Sequence, residues 1–523
     1  MKPKDKNGNE TDNKSSNLNR RSFLKGAFAV GAVAAGGGIA LNLGIPGSAE
    51  AMIKKFPEKW DETWDVVVIG SGFAGYAAAA EAAGAGAKVV ILEKMPIYGG
   101  NSIINGGVYN AWDDEFHLRK KLNLGDDSPK QHYNDNLKGG DYYNLQELVE
   151  ILVEGAPSAL NWMIDEGGLQ LRDALSTGGG HTAYRSHYST NSIGKDYVEA
   201  LKKIAEKRGV KTALNSQVTW IWRKDADPKS PVLGVEVKRG KKVLNIAAKK
   251  AVILASGGFS QDIKMRMEHF PRLVEGFNCT NQKGATGEML RYAQAIGADT
   301  LHLNFIQCYP FAEAESGTLD NPALLPFAAP GAGGIYVSKL GKRFVSEMER
   351  RDVCTFAQIN LGPNMKPTYT IFSPAMVSRI AWKPEAIEAG VKKGRYVIAD
   401  TLGELAKKIG IPADALEKTV ADHNRYIQEG KDPDFNKPMS KLMLPLDKGP
   451  FYAVAQWPAV HHTMGGVRIN KNAQVLDVFG SLIPGLYAAG EATGGIHGSN
   501  RLGGNATTDC VVFGRIAGVN AAK

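Results

Sequence analysis

The chain has 523 residues, 43% of them hydrophobic and 22% charged, with 60 Gly and 24 Pro. That length allows two to four domains with ample core, and the composition excludes a disordered, collagenous or coiled-coil chain. The net charge of +9 does not mark a nucleic-acid binder: seven of the 63 basic residues fall in the first 25, and the rest never interleave with aromatic residues as single-strand binding requires.

Residues 1–19 are polar. Arg20-Arg21-Ser22-Phe23-Leu24-Lys25 leads into the Gly/Ala-rich apolar run Gly26 to Leu43, then Ala49-Glu50-Ala51. A basic region, a weakly apolar stretch and a small-x-small site follow one another in signal-peptide order, and the arginine pair resembles a twin-arginine export signal. Residues 1–51 are therefore expected to be cleaved near Ala51, leaving a periplasmic chain with no membrane span. Cys279, Cys308, Cys354 and Cys510 show neither CxxC nor CxxCH spacing, so four mostly buried thiols are expected, with no metal and no covalent haem.

The next element is the most informative. Asp65–Ile69 reads as a buried strand, Gly70-x-Gly72-x-x-Gly75 as a tight turn, Tyr76–Ala85 as an Ala-rich helix and Lys88–Leu92 as a second strand. Gly70 lets the chain turn, Gly72 lets backbone approach a pyrophosphate, and Gly75 lets helix and strand pack closely. The helix N-terminus offers unpaired N–H groups to phosphate. Glu93 then ends the second strand, where a carboxylate accepts hydrogen bonds from ribose hydroxyls and disfavours a 2′-phosphate. A second glycine-rich stretch, Gly99-Gly100-Asn101-Ser102 and Gly106-Gly107, suits an extended, non-covalent FAD. Ala251–Ala255 and Ile483–Glu491 read as later strands bordering it. The sequence shows no second dinucleotide fingerprint, so electrons are expected from a carrier other than a nicotinamide.

Several runs carry a resemblance. His461-His462-Thr463-Met464-Gly465-Gly466-Val467, the stretch Gly494 to Ala506, and Gly341-Lys342-Arg343-Phe344-Val345 followed by Arg350-Arg351-Asp352 are similar to the flavoprotein of periplasmic fumarate reductases. The likeness covers about residues 58–523. It implies an α/β fold: a glutathione-reductase-type, Rossmann-like FAD-binding domain (52–302 and 462–523) interrupted by an α+β capping domain (303–461). It also implies reduction of the C=C bond of a 2-enoate, with electrons from a separate multihaem cytochrome c. The FAD contacts it implies are Gly70, Gly72, Ala74, Gly75, Glu93, Asn101, Ser102, Gly106, Gly107, Val218, Glu288, His462, Glu491, Ala506 and Thr507. The substrate carboxylate would lie on His461 and Arg501 beside Gly107 and Gly504, and Arg351 would donate the proton.

The chain departs from that pattern at one place. Fumarate reductases hold the second carboxylate with a His where this chain has Tyr309, and their proton relay falls on Pro326, Phe327 and Pro330. With Phe311, Leu324 and Leu325 nearby, this is an apolar wall that would strand a second carboxylate. A monocarboxylate such as methacrylate, acrylate, urocanate or an aryl-acrylate is expected. Glu313, Glu315 or Glu347 could take over the relay. Fumarate reduction proper, a 3-ketosteroid Δ1-dehydrogenase-like reaction using a tyrosine pair, and a non-enzymatic electron relay remain alternatives. Ala413–Gln428 has the spacing of an amphipathic helix.

Overall fold

The computed structural model describes residues 54–523 apart from Ser192, Ala226, Pro228, Val274, Glu275, 321–324, Phe327, 380–383 and 441–442. The export signal expected at 1–51, and Leu324 and Phe327 of the expected wall, lie outside the described residues.

β1 (Glu62–Ile69) ends in Val66-Val67-Val68-Ile69, all buried, as a strand covered on both faces must be. α1 (Phe73–Gly84) follows, starting three residues ahead of the expected Tyr76 because Gly72 caps it directly after the turn. β2 (Val89–Leu92), β3 (Lys211–Ala213) and β4 (Lys242–Leu254) complete one side of a parallel sheet. β4 begins well before the expected Ala251, because its first half pairs antiparallel with the hairpin Gln217–Arg223/Val232–Arg239.

A second core contains Leu325, Ile335, Ile371, Leu405, Leu416 and Val454. Its five-stranded sheet includes β5 (Ile306–Glu313), β6 (Thr368–Phe372), β7 (Tyr396–Ala399) and β8 (Phe451–Thr463). Helix α2 (Arg351–Asn360) packs beside β5. β8 is the long element: its first half pairs with β6 and β7, its second half with β5. It thereby carries His461 and His462 out of the second core toward the parallel sheet. The helix Ala413–Glu429, one residue longer than expected, buries Leu416, Val420, His423 and Tyr426 on one stripe.

β9 (Leu482–Ala488) returns to the parallel sheet, whose order is β9-β4-β1-β2-β3. The final helix, α3 (Asn505–Ala521), lies on α1 at backbone distance: a Cβ on Gly518 would stand 2.2 Å from the Ala78 carbonyl oxygen. Alanines in α1 and glycines in α3 make that approach possible. Among the described residues, no helix is long and apolar enough to cross a membrane, and no group of three or more His, Cys, Asp or Glu could hold a metal ion. All four cysteines are free thiols; Cys308 and Cys354 are buried, Cys279 and Cys510 half-buried.

Candidate active site

The turn after β1 is built for close approach. Gly70 has φ +103°, and a Cβ there would meet the Ala255 carbonyl oxygen at 2.4 Å; a Cβ on Gly75 would stand 1.9 Å from the Gly70 carbonyl oxygen. Gly72 caps α1 and brings no side chain of its own to the helix N-terminus. Glu93 is buried and oriented by three donors: Ser71 Oγ (2.6 Å), Ser71 N (3.1 Å) and Met95 N (2.9 Å). Ser102 Oγ accepts from the Phe73 N–H at 3.0 Å, joining the second glycine-rich stretch to the helix start.

A cleft open to solvent runs past these groups. Gly70, Gly72, Ala74, Glu93, Asn101, Ser102, Val218, Glu288 and Glu491 line it. Lys94 Nζ holds Glu288 at 2.6 Å. The other expected FAD contacts stand elsewhere. Gly75 packs beneath the turn, and Gly107 (φ +62°) presses on the Ile193 backbone. Gly106 adjoins it, and Ala506 and Thr507 open α3. His462 sits behind the lining carboxylate, with Nδ1 3.7 Å from Glu491 Oε1. Burial pushes Glu491 up to about 7 against the opposing hydrogen bonds from Thr463. His462 is held well below the usual histidine range by burial and Arg501, and its buried Nε2 has no partner among the described residues. A glycine-lined cradle, an oriented acid and an orphaned buried nitrogen all fit a bound flavin dinucleotide.

Next to this cavity the two cores meet around two arginines. Arg501 is buried, its Nε has no partner among the described residues, and burial together with Arg351 pulls it down to about 9. Arg351 begins α2; its guanidinium lies 5.2 Å over the Tyr309 ring, and burial lowers its pKa. His461 bonds through Nδ1 to Thr280 Oγ1 at 2.7 Å, which fixes the ring and leaves Nε2 for a ligand. Burial and both arginines hold His461 neutral. Gly504, at φ +89°, admits Asn110 where a Cβ would collide. Sequence reasoning missed the residue that ties these groups together. Gln307, buried on β5 and in register with His462, accepts from Arg351 Nη1 (3.3 Å) and donates to the Arg501 carbonyl (2.8 Å) and to Asn500 Oδ1 (2.6 Å). A glutamine inside an apolar strand run was the available signal.

Tyr309 packs with Phe311, Tyr336, Val345 and Cys354, the Tyr336 hydroxyl reaches the Pro326 carbonyl, and Pro326 and Pro330 are both buried. The three glutamates expected near the proton route have partners elsewhere. Glu347 is enclosed by Arg343 and Lys437, Glu313 bonds Ser316 and Arg395, and Glu315 reaches Lys366 at the surface.

The fold and the cavity define a flavoprotein. The FAD binding domain family matches residues 65–507. Fumarate reductase (cytochrome) of Shewanella frigidimarina is 38% identical over 88% of this chain and 77% of its own length. Urocanate reductase of Eggerthella lenta is 37% identical over 90% and 77%. The acrylate reductase flavoprotein subunit of Shewanella woodyi is 34% identical over 96% and 97%. The open conformation of a flavocytochrome c3 fumarate reductase superposes with a TM-score of 0.73 at 35% identity, covering 88% of this chain and 78% of that one. The chain belongs to this family of FAD-dependent oxidoreductases, which contains the fumarate, urocanate and acrylate reductases.

Proposed function

We propose that this chain reduces the C=C bond of an α,β-unsaturated monocarboxylate: methacrylate, acrylate, urocanate or an aryl-acrylate. The observation that carries this reading is the wall facing Arg351. Tyr309, Phe311 and Tyr336 are buried there against one another, and the Tyr336 hydroxyl is spent on the Pro326 carbonyl at 2.6 Å. His461 and Arg501 offer themselves to one carboxylate; beside them, the surface under Arg351 is made of rings, with Tyr309 5.4 Å from the His461 ring. A dianion would leave a carboxylate against that wall at a cost on the order of several kcal/mol.

In this reading Arg501 grips the carboxylate by paired charge-assisted hydrogen bonds, His461 Nε2 donates a further one, and Gly107 and Gly504 leave room beside it. A bound FAD, once reduced by two electrons, would supply the hydride that the β-carbon needs. Negative charge then grows on the carboxylate side, where Arg501 and His461 are already in place to stabilise it. Arg351 gives a guanidinium proton to the α-carbon, yielding the saturated acid. Burial has already lowered the cost of removing that proton, while the Tyr309 face keeps the guanidinium oriented until transfer.

Residues 303–461 act as the cap over this site, which the separate second core supports. Electrons come from a separate multihaem cytochrome c in the periplasm. The names of two relatives support this: one is a fumarate reductase (cytochrome), the other a flavoprotein subunit. Steady-state kinetics with reduced viologen test the proposal. A monocarboxylate should show the highest kcat/KM, and Arg351→Ala should lose about 10²–10³-fold in kcat with flavin retained. Fumarate outrunning every monocarboxylate would overturn the substrate reading.

A further inference from the structure

Arg351 and Arg501 belong to different parts of the molecule, yet the proposed reaction needs them at fixed separation. Gln307 joins them from within. A second connection lies outside it. Arg350, the residue that caps α2, places Nη1 2.6 Å and Nη2 3.0 Å from the two carboxylate oxygens of Asp141. The same guanidinium reaches Asp352, in the first turn of α2, at 2.6 and 3.1 Å. Asp141 also accepts from Ser499 Oγ, two residues before Arg501.

The base of this connection is rigid. A Cβ on Gly140 would stand 2.6 Å from the His497 carbonyl oxygen, and one on Gly498 would stand 2.3 Å from the Gly140 carbonyl oxygen. The backbones of 139–144 and 496–499 are therefore in direct contact, and the Ser499 N–H donates to the Gly140 carbonyl at 3.0 Å. Asp141 and Tyr142 have φ of +52° and +60°, a conformation costly for non-glycine residues that persists only where the surroundings impose it. Asp141 thus moves with the Arg501 loop, and Arg350 moves with Arg351.

We propose that Arg350 and Asp141 are positioning residues: a bidentate latch, partly open to solvent, that sets the distance between the proton donor Arg351 and the carboxylate clamp Arg501. This rests on the assignment of those two arginines made above. The pair is 24% and 45% exposed, so salt weakens it far more than it weakens the buried Gln307 bridge.

The test uses the full FAD-loaded protein, reduced with dithionite and reoxidised by saturating methacrylate, or by the fastest enoate of a panel, in H₂O and D₂O. Asp141→Asn and Arg350→Gln should keep their flavin and slow reoxidation roughly tenfold, because about 1 Å of misplacement can cost up to 10²-fold. The solvent isotope effect should rise, KM should change less than kcat, and Asp141→Glu should recover most of the rate. Added salt should slow the wild type and leave both variants unchanged. Near-wild-type rates, loss of flavin, or an Asp141→Glu protein as slow as Asp141→Asn would each overturn the latch. If Arg351→Ala alone is slow, only the latch falls; if Arg351→Ala reoxidises normally, or no enoate reoxidises the wild type, the underlying assignment falls with it.

Discussion

Replacing Arg501 with methionine should stabilise the substrate-free fold while destroying turnover. The residue is only 6% exposed, its Nε has no hydrogen-bond partner among the described residues, and burial with Arg351 close by pulls it down to about 9. A charge held that far below the ordinary arginine range costs the fold on the order of a few kcal/mol. A depressed arginine pKa means that the cost is complete below pH 9 and fades only as the pH rises toward the unfolded value. Relaxation around the site reduces this figure, and replacing buried charges with apolar groups stabilises by about 1–4 kcal/mol in favourable cases. Melting of the flavin-loaded protein at pH 7, followed by circular dichroism, should therefore rise by a few degrees, roughly, in Arg501→Met. Turnover should fall about 10²–10³-fold. Adding a saturated carboxylate should raise the melting temperature of the wild type and leave that of the variant unchanged. A variant that retains flavin but melts below the wild type would refute the reasoning, because Arg501 would then be held by favourable partners rather than waiting for an anion.

Two further outcomes follow from groups around the flavin cavity. Glu491, lifted to about 7 by burial, favours the fold as the neutral acid; that stability is complete below the ordinary glutamate range and is lost as pH rises through 7. Flavin-free protein should accordingly melt lower at pH 8 than at pH 6, and Glu491→Gln should flatten the difference. Glu93→Ala should weaken FAD by about 1.5–3 kcal/mol, roughly 10- to 150-fold in Kd by fluorescence titration; unchanged affinity would remove Glu93 from the ribose.

The nucleotide-binding half was readable because its parts are contiguous. Strand, glycines, helix, strand and acid fall within the 32 positions from Glu62 to Glu93, each constrained by local backbone geometry. The arginine and histidine runs were readable as a resemblance, and the structure brings Arg351, His461 and Arg501 together around Gln307 and Tyr309. The linking residues were not legible. Gln307 meets the Arg501 carbonyl across 194 positions, and Arg350 meets Asp141 across 209. A single sequence keeps no trace of which distant polar side chains meet. Glu347 illustrates the converse. It follows the GKRFV motif closely enough to suggest a role in proton supply, but Arg343 and Lys437 enclose it within the second core.

The pairing of β5 with β8 has a consequence for how such a chain could change over time. Ile306 and Thr463 are register partners, so the 156 residues between them leave the nucleotide-binding fold and return to it through neighbouring positions on adjacent strands. The excursion ends where it starts. A segment with abutting ends can lengthen, shorten or be exchanged for another with little effect on the sheet that holds the nucleotide, since its closure is already made by strand pairing. Tyr309 and His461 both lie inside that segment, near its two ends, while Arg501 lies beyond it. Exchanging the segment would therefore replace the Tyr309 wall together with Gln307, Arg351, His461 and His462, while preserving the clamp's arginine and the glycine-rich cradle after β1. New substrates could then arise by inheritance of a whole module rather than by point changes alone.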